Sequence, residues 1–162
     1  MREIICDTSP LLYLHQIEQL KLLEELSDRV VVPPAVVSEL EEGRAIGVDA
    51  PDPTDLDWIV VEGPASTAAL RLVTDLGRGE TEVLALALER DDAVAVLDDR
   101  VARRLARTLD IALTGTLGVL LDGKKAGLVE SLTPLIDHLQ ALGFRLAAHT
   151  RRAVLEVAGE GE

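Results

Sequence analysis

Residues 77–100 read GRGETEVLALALERDDAVAVLDDR. The stretch opens on a glycine turn, becomes a helix near Glu80 and ends as a short strand, Ala93 to Leu97, followed by Asp98 and Asp99. At about 3.6 residues per turn, Val83, Leu84, Ala87 and Leu88 share one helix face. Glu80 falls in the middle of that face, while Glu82 and Glu89 point the opposite way. A carboxylate centred on an apolar stripe breaks the usual pattern. It loses hydration on docking unless something positive meets it. A plainer reason for an acid there is the helix dipole, which favours negative charge in the first turn. The acid pair after the strand tips the reading towards a site.

Outward from this stretch the same alternation continues. Glu3 to Asp7 reads as a buried strand ending on an acid, and Thr8-Ser9-Pro10 as a helix start with Ser9 or Thr8 as cap and Pro10 first in the helix. Leu11, Leu12, Leu14 and Ile17 line that helix, and Leu20, Leu23 and Leu26 a second one. Val30 to Val32 is a strand, stopped by Pro33-Pro34, which open a helix from Ala35 to about Glu42. Gly43 to Thr54 is the main loop, Trp58 to Val61 an edge strand, and Ala65 to Leu76 a helix. Beyond Asp99, Val101, Ala102, Leu105, Ala106 and Leu109 face inward on another helix, and Ile111 to Leu113 is a strand. Thr114-Gly115-Thr116 turns into a helix through Leu121, and helices at about Thr133 to Leu142 and His149 to Val157 follow. Short apolar strands alternating with helices imply a parallel sheet covered on both faces. The working site of such a sheet lies beyond the carboxyl ends of its strands.

The 162 residues suit one domain, and a hydrophobic content of 48% makes it globular. Aromatics at 2% leave the core to Leu, Val, Ile and Ala, and offer few platforms for stacked bases. A net charge of −13 repels nucleic acid at long range, so any nucleic-acid role rests on a local patch. An acidic surface with few lysines also suits a high-salt setting. Cys6 is the only cysteine, which excludes disulfides within the chain and thiolate clusters. It reads as a small buried hydrophobe. Neither a signal sequence nor a membrane-spanning run is visible, so a cytoplasmic location is the expectation.

Asp7, Asp98, Asp99 and Thr114 all fall at the carboxyl edge of the expected sheet, and Glu80 starts the helix before the later strand. Glu39 borders the Val36, Val37 and Leu40 face of its helix, whereas Ser38, Glu41 and Glu42 turn away. Carboxylates that share a pocket raise one another's pKa unless a counter-charge joins them. Mg²⁺ or Mn²⁺ is such a counter-charge, and it activates water for phosphodiester hydrolysis. Asp7 and Asp98 read equally well as helix caps, and Glu39 as one more solvated acid. These plainer readings leave the gathering at one edge unexplained. Arg100, Arg103, Arg104 and Arg107 form the densest positive patch, on one face of the helix after Asp99. Arginine forks suit phosphate oxygens, although a solvated outer helix face explains the same stripe. Lys124 and Lys125 either extend that track or complement a helix C-terminus. Ser9, Thr114 and Thr116 place hydroxyls at the same edge, as supports for a metal's waters or as caps. His15, His138 and His149 lack ligand spacing, and there is no P-loop, GxGxxG, nucleophile elbow or HExxH.

The ordered motifs DTSPLLYL (7–14), VPPAVVSEL (32–40), LGRGETEVLALALE (76–89), LDDRVARRLA (97–106) and TGTLGVLLDGKKAGLV (114–129) resemble the PIN-domain family. The likeness is closest to its small prokaryotic members related to VapC toxins, and it spans nearly the whole chain. It implies an α/β three-layer sandwich: a central parallel sheet with helices on both faces, one domain over 1–162 that includes the C-terminal helices at about 133–158. It also implies a Mg²⁺- or Mn²⁺-dependent endoribonuclease acting on single-stranded RNA. By position, Asp7, Glu39, Glu80 and Asp98 match the family's four acids, with Asp99 as an alternative or additional ligand. Glu82 belongs to the GxGExE pattern, but helix phase sets it farther away. A toxin role would bring an antitoxin partner, and the family suggests a homodimer. Two competitors remain: a catalytically inactive PIN-like regulatory binding module, and a receiver-like phospho-acceptor, which the acid spacing fits poorly.

Overall fold

Short β-branched runs and apolar helical stripes alternate along the chain, and most take their expected state in a computed structural model. The structure describes residues 2–161 except 71, 72 and 74. The strands are β1 (Glu3–Cys6), β2 (Arg29–Val32), β3 (Ile59–Val61), β4 (Ala93–Val96) and β5 (Ala112–Thr114). Among the described residues the helices are α1 (Thr8–Gln16), α2 (Leu22–Glu25), α3 (Pro34–Ala45), α4 (Arg78–Leu88), α5 (Arg100–Thr108), α6 (Thr116–Lys125), α7 (Thr133–Ala141) and α8 (Ala148–Val157).

All strand pairs are parallel, in the order β3-β2-β1-β4-β5. Parallel neighbours need crossover connections, which supply the helices. The order runs outward from β1 on one side and restarts at β4 on the other. Right-handed crossovers therefore distribute the helices over both faces and open a crevice at β1 and β4. Register sets the crevice floor. Ile5 pairs with Ala95 and Cys6 with Val96, and the next amides continue the ladder, Asp7 to the Val96 carbonyl at 3.1 Å and Leu97 to the Thr114 carbonyl at 2.9 Å. Asp7, Asp98 and the Thr114–Thr116 turn thus leave the sheet side by side.

Several boundaries differ from the sequence expectation. Asp7, not Thr8 or Ser9, occupies the N-cap of α1, and Pro10 is the third helical residue. The second helix shrinks to the single turn α2, whereas α3 runs past Glu42 to Ala45. Between Ala65 and Leu76 the described residues show a 3-10 turn, Ala68–Leu70, in place of a long helix; Arg71, Leu72 and Thr74 lie outside the described residues. On α4, burial extends from Val83 through Ala87 and includes Ala85 and Leu86, while Leu88 is 44% exposed. A helix covered nearly all round obscures the one-face pattern read from spacing.

The chain divides into two compact units, with the boundary between Thr116 and Leu117. Ile5, Leu11, Leu14, Leu23, Leu40, Leu84, Leu86 and Leu97 are the large, fully buried side chains of the first unit. Leu120, Leu132, Ile136 and Leu139 are those of the second. Cys6 is buried, as expected of a small hydrophobe. No helix of the described residues is long and apolar enough to cross a membrane.

Candidate functional site

Among the described residues, the buried polar side chains outside the apolar core are Asp7 and Thr116. Both stand at the carboxyl edge of the sheet. Asp7 caps α1 by position, yet its carboxylate makes no capping bond. Burial pushes that carboxyl up, and repulsion from Glu80, Glu39 and Asp98 adds to it. The Thr8 amide opposes, and the balance lies at about 7. Three other acids of the expected set are therefore close enough for their charge to act on Asp7.

Each of those acids has a distinct support. Glu39 accepts from the Thr8 hydroxyl at 2.9 Å. Gly79 allows the approach of α4: a Cβ there would overlap Glu39 Oε1 and lie 3.1 Å from Asp7 Oδ1. Only glycine leaves that space. Asp98 Oδ1 accepts from the Thr116 amide at 2.8 Å, and its Oδ2 accepts from the Thr116 hydroxyl at 2.6 Å and the Ser9 hydroxyl at 3.5 Å. Gly115 plays the part of Gly79 here, because a Cβ would lie 2.8 Å from Asp98 Oδ1. Glu80 reaches back to the Gly77 amide at 3.2 Å, so the first-turn reading of this acid is realised. Burial raises its carboxyl, partly offset by that amide and reinforced by Asp99 and Glu39.

Three further residues of the expected set have structural engagements of their own. Asp99 is the N-cap of α5, and its Oδ2 accepts from the Ala102 amide at 2.9 Å. Its charge acts on Glu80, and that of Asp98 acts on Asp7. Thr114 contributes its carbonyl to the sheet ladder. Arg103 leaves the solvent stripe: its Nη1 donates to the Leu97 carbonyl at 2.7 Å and adjoins Asp98, since both crowd the same point beside Gly115. Burial and Arg107 lower the Arg103 guanidinium, and Asp98 counters them. Arg100, Arg104 and Arg107 remain exposed along α5. The face expected inward is also rotated, with Ala102 and Ala106 buried and Val101 39% exposed.

Sequence reading missed Thr8 as the partner of Glu39, Gly79 as the contact point and Arg103 as a neighbour of Asp98. The TGT turn was a visible signal for Thr116. Thr8 carried only a capping signal, because its partner lies 31 residues away.

The donor set is oxygen alone, which suits a hard divalent cation over a thiophilic one. Among the described residues, however, no three Asp, Glu, His or Cys side chains are drawn together into a ready-made metal cage. The site is an acidic crevice with one guanidinium at its rim and a buried carboxyl at its floor.

Such a parallel sheet, with helices on both faces and acids at its switch point, is an α/β sandwich. Residues 3–160 match the family described as DUF3368, a PIN domain, and the chain belongs to that family. PIN domains are generally nucleases and typically use divalent metals. No match to a curated protein accompanies this one.

Proposed function

We propose that the protein is a Mg²⁺- or Mn²⁺-dependent endoribonuclease that hydrolyses single-stranded RNA. The observation that supports this most is Asp7, a carboxyl buried at the sheet edge among the charges of Glu39, Glu80 and Asp98. A dication relieves that repulsion. In this reading Asp7, Glu39, Glu80 and Asp98 hold the ion, and Asp99 serves α5 instead. The bound ion supplies Lewis acidity, which makes water nucleophilic at neutral pH and offsets charge on the departing oxygen. Thr8 fixes Glu39, while Ser9 and Thr116 fix Asp98. Arg100, Arg104 and Arg107 guide the RNA backbone along α5. The toxin role, an antitoxin protein partner, a homodimer and a cytoplasmic location belong to the same proposal.

The experiment is cleavage of single-stranded RNA with Mn²⁺, with and without EDTA, by the wild type and Asp7→Asn. Cleavage that depends on Mn²⁺ and falls at least a hundredfold in the variant is expected. Undiminished cleavage by Asp7→Asn would refute the assignment. Among the described residues no three acid, His or Cys side chains form a ready-made cage, which leaves room for a second reading, an inactive regulatory binding module. Absence of any heat on Mn²⁺ titration of the wild type would favour that module.

A further inference from the structure

Helix α3 begins without the means to cap itself. Pro33 is its N-cap and has no side-chain acceptor, and Pro34 has no N–H to satisfy. The Val36 and Val37 amides both go to the Pro33 carbonyl. The Ala35 amide is left, on a buried residue. An unpaired donor there would carry its full desolvation penalty. Glu82, on α4, fills the gap: its Oε1 accepts from the Ala35 amide at 2.8 Å. A carboxylate is the favoured group at a helix N-terminus.

The same two helices meet at a second point. Gly79 on α4 lies against the Glu39 carboxylate on α3, so closely that a Cβ would overlap it. Ala35 and Glu39 are one turn apart on α3, and Gly79 and Glu82 nearly one turn apart on α4. Two contacts about a turn apart fix the register of one helix on the other. That register decides how far Glu39 stands from Asp7 and Glu80.

We infer that Glu82 is a positioning residue: by capping α3 from α4 it holds Glu39 against Asp7 and Glu80. Its carboxylate is engaged by the α3 amide and serves the site at one remove. The functional consequence rests on the proposed metal site; the clamp itself does not.

The test compares Glu82→Gln with Glu82→Met in the full chain. Gln keeps the length and an acceptor oxygen. Met keeps length and helix propensity but accepts no such bond. Glu89→Met is the control, because Glu89 is the C-cap of the same helix and binds the Ala65 amide through both oxygens, not an amide of α3. Amide hydrogen exchange without metal and Mn²⁺ titration calorimetry are read for each. In Glu82→Met, exchange across residues 35–39 is expected to rise at least tenfold and Mn²⁺ affinity to fall about tenfold, the usual cost of losing a group that orients a ligand. Glu82→Gln should stay within about threefold of wild type on both readouts, and Glu89→Met should leave both unchanged. The inference is overturned if Glu82→Met keeps wild-type exchange in α3 or wild-type Mn²⁺ affinity. It is equally overturned if Glu82→Gln fails as badly as Met, or if Glu89→Met matches Glu82→Met. Should the wild type itself take up no Mn²⁺, the metal reading falls, and the exchange data still decide the clamp.

Discussion

Asp7 loses its proton at about pH 7 in the folded chain, against an ordinary value of 3.8. Between those values the folded state holds more protons than the unfolded one, so stability falls as pH rises. The contribution is fully present below pH 3.8 and is lost as pH passes about 7. Glu80 is shifted in the same direction. In metal-free buffer, Asp7→Asn keeps the shape and removes the charge. It is expected to be more stable than wild type at pH 8, by at most about 4 kcal/mol, with the gap closing towards pH 4. Urea unfolding in EDTA across that range measures it. A variant less stable than wild type at pH 8 would mean that Asp7 has a compensating partner when ionised. Such a residue trades stability for a charge held ready, the usual condition of a functional carboxylate.

At the scale of the element, α5 shows why an arginine stripe is not one thing. Asp99 caps its first turn, and Ala102 and Ala106 set the buried line. Arg103 is beside that line and turns onto the Leu97 carbonyl, while Arg104 turns to solvent. Arg103→Ala is expected to cost about 2 kcal/mol, the range for a lost charged hydrogen bond in partly buried surroundings. Arg104→Ala should leave urea unfolding unchanged within about 0.5 kcal/mol and weaken RNA binding with a shallower salt dependence. Equal stability losses in both variants would contradict the split. The strands, their parallel pairing and the acids at their ends were legible because burial writes short apolar runs and each run stops at a polar residue, whereas the strand order was not. Asp7 and Asp98 were legible for that reason, and Glu80 because an acid on an apolar helix face breaks the pattern. Thr8 and Glu82 were not, because their partners are far away in sequence: Thr8 meets Glu39 and Glu82 meets Ala35 only after the helices pack. Arg103 was hidden for another reason: its partner, the Leu97 carbonyl, is only six residues away, but a backbone acceptor at a strand end leaves no mark in the sequence. The extent of burial on α4 was hidden likewise, since Leu86 reads as an outward residue by spacing and is 1% exposed.

Across the whole molecule, where the net charge is −13, acids away from the crevice are answered by basic partners and amides. In the first unit Arg29 and Arg90 each bridge Glu3 and Glu62, which ties β1 and β2 to the chain segments after β3 and α4. In the second unit the corresponding anchor is Glu160. It accepts from the Leu132 amide, the Lys124 ammonium and the Ser131 and Thr133 hydroxyls, each at 2.7 Å, and from the Thr133 amide at 3.0 Å. Desolvation pushes this carboxyl up, but those donors outweigh it and hold it far below its usual 4.5. The sign is therefore opposite to that of Asp7. Glu160 contributes stability that is present above pH 4.5 and is lost as pH falls below it, because the unfolded chain then takes up the proton first. Glu160→Gln is expected to cost about 2 kcal/mol at pH 7, with the difference from wild type shrinking as pH is lowered from 4.5 to 3. Chemical denaturation at the two ends of that range, followed by exchange at the amides of α7, measures it. A penalty that stays constant down to pH 3 would assign the anchor to shape and not to charge. Acid should then loosen the two units unequally: protonation relieves the repulsion around Asp7 in the first and dissolves the clasp of Glu160 in the second.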